Sequence, residues 1–189
     1  IKINIFDGAK VMAKGTVTYY DRSGRVFLYI SQLELDGKGN LYQEYLDLKE
    51  KLSKEGLFDP GHKKRLKKYP SRIGLITSTS GAAIEDVINI FRKRNKTCDV
   101  FIYPSLVQGT HAAESLISGV KFFNEEEPVD TIIIARGGGS FEDLFVFNDE
   151  GLAREIFASK IPVISAVGHE VDYTICDFVA DMRAATPTN

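Results

Sequence analysis

From Arg72 onward the chain repeats one pattern: a short, nearly continuous apolar run, a polar turn, then apolar residues at helical spacing. The runs are IGLI, VFIY, TIIIA and PVISAV, beginning at residues 73, 100, 131 and 162. Runs this short and this apolar suit strands buried on both faces. Between them lie three helical stripes: Ile84, Val87, Ile88 and Phe91; Ala113, Leu116, Ile117, Val120 and Phe123; Leu152, Ala153, Ile156 and Phe157. Strands alternating with helices imply right-handed βαβ crossovers. The expected fold class is therefore α/β, a mostly parallel, Rossmann-like sheet flanked by helices.

The first part of the chain follows another rule. KGTVTYY and RVFLYISQLEL carry β-branched and aromatic residues in near alternation, with Asp21, Arg22, Ser23 and Gly24 supplying a turn, so a hairpin is expected. Two or three strands seldom stand alone, which makes them part of a small barrel or sandwich. Leu41, Tyr45, Leu48 and Leu52 then mark a helix, with Asn40 placed to cap its start and Gly56 to end it. Asp59, Pro60 and Gly61 lead into a basic run, HKKRLKK, read as an exposed linker over residues 62–68. Three parts are thus expected: a β segment over 1–38, a connecting helix and linker over 39–70, and an α/β domain over 71–189.

A chain of 189 residues, 43% hydrophobic, can fill one α/β core plus a smaller appendage. Its net charge of -2 gives no global sign of nucleic-acid binding, which leaves that role to local patches such as the basic run. No apolar run approaches the roughly 20 residues needed to cross a bilayer, and no signal-peptide pattern opens the sequence, so a cytoplasmic chain without membrane contact is expected. Cys98 and Cys176 stand singly in core-like segments and read as a reduced pair. The start at Ile1 without Met reads as that of a fragment.

In open parallel sheets, ligands bind beyond the carboxyl ends of the strands. That rule selects three clusters. After TIIIA comes RGGGS, where Arg136 offers a fork of donors for phosphate oxygens and Gly137, Gly138 and Gly139, followed by Ser140, let backbone N–H groups approach a ligand; a plain flexible turn is the alternative. After IGLI comes TSTSGAA, which places hydroxyls including Ser78 at a helix start, as an anion site or as a simple cap by Thr79 or Ser80. Asp86 follows in that helix, either directed over the sheet edge or favourably placed near the positive end of the dipole. After PVISAV comes GHEVD. His169, with an ordinary pKa of about 6.5, can move a proton at neutral pH, and Asp172 can orient it, help hold a divalent cation, or merely cap the next helix. His62 and His111 read as solvated surface. HExxH and CxxC are both missing from the sequence, which leaves water as the nucleophile.

At TSTSGAAIEDV, ARGGGSFEDLFVFNDE and IPVISAVGHEVDYTICDFVADMRAATPT the sequence closely resembles the large-subunit family of bacterial exodeoxyribonuclease VII. The resemblance covers essentially the whole chain and is strongest from about residue 40 onward, including GLFDPGHKKRLKKYP; where the family shows APTPS this chain has AATPT. It implies an exonuclease that cuts single-stranded DNA to oligonucleotides, with an oligonucleotide-binding (OB) fold ending near residue 38 and small subunits carried on a helical region beyond this chain. It also implies catalytic roles for Asp86, Arg136, His169 and Asp172. A magnesium ion on Asp86 and Asp172 is one way to use the carboxylates; orientation of His169 and water is the other. Single strands would be held by the basic run, through Lys63, Lys64 and Arg65, and by stacking on aromatics such as Tyr19, Phe27 or Tyr29, which could equally be barrel core. Two rivals stand beside this reading: a phosphate-binding transferase domain on a Rossmann-like sheet and a non-catalytic single-strand-binding module.

Overall fold

A computed structural model describes residues 11–20, 24–35, 38–79, 82–94, 97–137, 142–168 and 173–184. The chain divides into two compact units, Ile1–Leu48 and Lys49–Asn189.

In the first unit, β1 (Val11–Tyr20) and β2 (Arg25–Leu35) form the expected antiparallel hairpin. Gly24, at φ 64, closes the turn with its N–H on the Tyr20 carbonyl. Pairing slips between Lys14 and Gly15, so that Ser31 is the extra residue on β2, and its hydroxyl donates to the Lys14 carbonyl at 3.0 Å. Gly15 is what lets the strands close there: a Cβ would stand 2.3 Å from the Tyr29 carbonyl oxygen. From Gly15 to Tyr20 the register is regular and sorts side chains by face. Tyr19 opposite Val26 and Val17 opposite Leu28 share one face with Ile30; Tyr20 opposite Arg25, Thr18 opposite Phe27 and Thr16 opposite Tyr29 make the other. Both faces are exposed.

Helix α1 spans Lys38–Lys54, beginning three residues earlier than its sequence signals suggest, so Asn40 lies inside the first turn and not at the cap. Its end is as expected. Gly56, at φ 83, donates to the Ser53 carbonyl while the Leu57 N–H reaches the Leu52 carbonyl, a Schellman closure that buries both leucines.

The second unit carries a five-stranded, all-parallel sheet in the order β4-β3-β5-β6-β7: Arg72–Thr77 (β3), Asp99–Pro104 (β4), Thr131–Ala135 (β5), Val163–Ala166 (β6) and Met182–Arg183 (β7). The helices are α2 (Ala82–Arg94), α3 (Ala112–Glu125), α4 (Glu150–Ala158) and α5 (Ile175–Val179). Alternation along β3 assigns the faces. Leu75 packs with Val87 of α2, Ala135 and Ala166 on one side, whereas a Cβ on Gly74 would meet the Phe123 ring of α3 on the other at 2.8 Å. Leu116, Val120, Phe123, Leu152 and Ile156 are fully or almost fully buried, which bears out the stripes of α3 and α4. Phe157 departs from its stripe: 37% exposed, it lies beside the His62 ring, 5.1 Å centroid to centroid. Cys176 is a buried free thiol whose pKa burial pushes up to about 12. Among the described residues, no helix is long and apolar enough to cross a membrane.

Candidate active site at the carboxyl edge of the sheet

Strand order reverses at β3: its crossover through α2 goes to β4 on one side, and the next crossover returns past it to β5 on the other. The crevice between β3 and β5 is the switch point, where ligands bind in open α/β sheets. Register then fixes what borders it. Ile76 pairs with Ile134 and Ala135 with Ala166, so β3, β5 and β6 end level, and Ser78, Arg136 and Val167 open their loops side by side. With strands about 4.8 Å apart, the three loops start within roughly 10 Å of one another. The loops in which the three polar clusters stand therefore begin at one edge.

The half-buried Ser78 follows β3 directly. Thr77, the strand's last residue, is 1% exposed, and its hydroxyl has no partner among the described residues. Asp86 stands on the fifth residue of α2, and its side chain falls outside the described set. Arg136 continues the β5–β6 ladder by one residue, donating its amide to the Ala166 carbonyl at 3.2 Å. Its side chain is 3% exposed, with Nη2 donating to Asp143 Oδ2 at 3.1 Å. Burial lowers the guanidinium's pKa and the Asp143 carboxylate opposes that shift. Gly137 is half-buried, whereas Gly138, Gly139, Ser140, His169 and Asp172 lie outside the described residues. Among the described residues no group of three or more His, Cys, Asp or Glu could hold a metal ion.

Several residues around these loops escaped the sequence reading. Glu142–Asn148 forms a 3₁₀ segment with Leu144 and Phe147 buried, and Asp149 then caps α4 by accepting from the Leu152 N–H at 2.8 Å. Asn148 Oδ1 accepts from the Ile175 N–H at 2.9 Å, across to the start of α5. The α5 cap is Thr174 and not Asp172: Thr174 and Asp177 make a reciprocal capping box, a T-x-x-D signal visible in the sequence. Asp177 also accepts from Ser165 of β6 at 2.6 Å. Arg183 stacks on Tyr173, its guanidinium carbon 3.9 Å from the ring centroid.

The basic run is more tightly bound than a linker. Lys63 Nζ donates to the Phe178 and Ala180 carbonyls, and Lys64 gives its N–H to Asp181 and pairs with that carboxylate at 3.2 Å. Lys67 pairs with Asp130 at 3.0 Å, while Arg65 stays exposed. The Lys63 and Lys64 contacts join the segment after α1 to the end of α5 and the residues after it, and Lys67 joins it to the loop before β5. Positive charge in the run serves the fold first.

The family described as "Exonuclease VII, large subunit" matches residues 57–189. Proteins named exodeoxyribonuclease 7 large subunit are similar over nearly the whole chain. That of Clostridium tetani is 55% identical over 182 residues, 96% of this chain and 46% of the relative. That of Clostridioides difficile is 51% identical over 98% of this chain and 46% of its own length, and that of Caldanaerobacter subterraneus is 49% identical over 100% and 46%. The chain thus spans about half the length of the curated relatives it matches. With the family's match covering all five parallel strands and the edge they build, the chain belongs to the exonuclease VII large-subunit family.

Proposed function

We propose that this chain carries the catalytic domain of an exonuclease that hydrolyses single-stranded DNA to oligonucleotides in the cytoplasm, acting with a small subunit. The observation that supports the reading is the level ending of β3, β5 and β6, which starts the loops that carry TSTSGAA, RGGGS and GHEVD in sequence side by side at a switch-point crevice in a chain of this family. In the reaction, His169 moves the proton to or from the attacking water or the leaving oxygen. Arg136, with the N–H groups of Gly137, Gly138 and Gly139, faces the charge that grows on the phosphoryl oxygens. A guanidinium already desolvated and held by Asp143 reorganises little as that charge appears. Ser140 and Ser78 add hydroxyl donors to the phosphate. Asp86 and Asp172 orient His169 and water, or are the carboxylates that would hold a magnesium ion, which would supply Lewis-acid stabilisation of the phosphoryl oxygens.

Residues 11–35 we assign to an OB-type surface that holds the single strand. Face sorting divides the candidate aromatics: Phe27 and Tyr29 share the threonine- and arginine-bearing face suited to bases and phosphates, and Tyr19 shares the Val17, Val26, Leu28 and Ile30 face suited to packing. Stacking of one base on an aromatic contributes about 1–3 kcal/mol.

The test is release of short products from end-labelled single-stranded DNA by the full-length chain with its small subunit. His169→Ala should abolish cleavage and keep DNA affinity; undiminished cleavage by that variant would overturn the site. Parallel reactions with EDTA decide whether the carboxylates act through a metal. Phe27→Ala and Tyr29→Ala should weaken DNA binding about fivefold to a hundredfold each. A larger binding loss from Tyr19→Ala than from either would reverse the face assignment.

A further inference from the structure

Phosphoryl chemistry needs its groups held to within about half an ångström. The 3₁₀ segment Glu142–Asn148 meets both neighbours of the crevice. Near its start, Asp143 accepts from Arg136, the first residue of the RGGGS loop, at 3.1 Å. At its end, Asn148 accepts from the backbone N–H of Ile175 at 2.9 Å. Between these two contacts, Leu144 at 4% and Phe147 at 0% exposure pin the segment in the core, and Asp149 fixes the chain beyond it as the α4 cap. Ile175 is itself fully buried and opens α5, three residues after Asp172.

We propose that this segment is a brace which sets Arg136 against the start of α5, with Asp143 and Asn148 as its positioning residues. The proposal rests on the site reading above. Asp143 holds the guanidinium by a charge-assisted bond, which fixes its orientation. Asn148 supplies an acceptor to an N–H at the start of a helix, where no intrahelical acceptor exists. The Asn148 amide oxygen is required for this; its charge state is not.

The experiment compares Asn148→Ala, Asn148→Asp, Asp143→Ala, Arg136→Ala, His169→Ala and the double variant Arg136→Ala with Asp143→Ala, in the full-length chain co-expressed with its small subunit. Single-turnover cleavage, KM, affinity for an uncleavable single strand and melting temperature are read for each, well below the lowest melting temperature. Asn148→Ala and Asp143→Ala should lower the cleavage rate about tenfold to a hundredfold, the scale of an ångström's misplacement, with KM and affinity within about twofold of wild type. Asn148→Asp should recover most of the loss, since a carboxylate still accepts from Ile175. The double variant should be no slower than Arg136→Ala alone, because Asp143 acts through Arg136. The brace is overturned if Asn148→Ala and Asp143→Ala cleave at the wild-type rate while Arg136→Ala and His169→Ala are inactive. It is overturned equally if rate, affinity and melting temperature fall together and Asn148→Asp restores none of them. Wild-type cleavage by Arg136→Ala and His169→Ala would instead remove the site itself, and the brace with it.

Discussion

Replacing Asp177 by alanine should cost this fold about 3–5 kcal/mol, the range for breaking a buried, hydrogen-bonded charge away from its partners. The side chain is wholly buried, and it accepts from Ser165 Oγ at 2.6 Å, the Thr174 N–H at 2.9 Å and Thr174 Oγ1 at 3.0 Å. Ser165 at 0% and Thr174 at 2% exposure cannot turn to bulk water when the carboxylate goes. Each such bond to a charged acceptor contributes about 1.5–3 kcal/mol, but the three share one carboxylate, which keeps the total below their sum. Arg183 Nε, 3.8 Å away, also loses its countercharge. Asp177→Asn keeps an acceptor of the same shape and should cost about 1–2 kcal/mol. At about 2–4 °C per kcal/mol for a chain of this size, the alanine variant should melt on the order of 10 °C lower. Urea and thermal denaturation measure the loss, and amide exchange locates it: protection at Ile175–Val179 should fall while β3 and β5 keep theirs. An alanine variant within 1 kcal/mol of wild type, or an asparagine variant as damaged as alanine, would refute the reasoning.

Two further outcomes follow from the charges in the second unit. Lys67, the Ser71 N–H and hydroxyl and the Arg72 N–H all donate to Asp130, with the Lys67 bond the largest cause, and hold its carboxyl below the ordinary carboxylate range. A depressed folded-state pKa gives stability that is present above the unfolded value of about 3.9 and is lost as pH falls through the folded one. Urea midpoints should therefore separate wild type from Asp130→Asn at pH 7 and converge below about pH 4; a gap that stays constant with pH would contradict this. In the basic run, Lys63→Ala should lower the melting temperature, whereas Arg65→Ala should leave it unchanged and reduce the salt dependence of single-strand binding by roughly one phosphate contact. Equal effects of the two on the salt slope would reverse that division.

What the sequence makes legible here is whatever is decided locally. The four apolar runs became β3, β4, β5 and β6 because a strand covered on both faces needs continuous apolar residues, and nothing else in the chain competes for that description. The carboxyl-edge rule then selected the loops after β3, β5 and β6, which do begin at one edge, without any knowledge of strand order. Strand order itself was not legible, since it depends on which way each crossover turns. Nor was β7: Met182 and Arg183 carry no strand signal and are recruited by pairing with Ile164 and Ser165. Phe157 fell on an apolar stripe by spacing yet sits at its margin beside His62. The basic run looked solvated because its partners, the carbonyls after α5 and Asp181, lie more than a hundred residues away. Asn148 and Asp143 were hidden for the same reason. A hydrogen-bond acceptor is recognisable in sequence only when its donor is near, as with Thr174 and Asp177.

The same division runs through the ends of the three loops. Register fixes where the three loops begin, since Ser78, Arg136 and Val167 follow strands that end level. It does not fix where they go, and glycine at 137–139 and 168 offers no local preference. Direction has to come from residues outside the loops. Asp143 acts on the entry of one loop, while Asn148 and the Thr174–Asp177 box act on the exit of another, with Ser165 tying that exit back to β6. Each of these residues touches a loop end. In the site proposed above, the chain on either side of the crevice is thus held by bonds that a phosphate does not need to break.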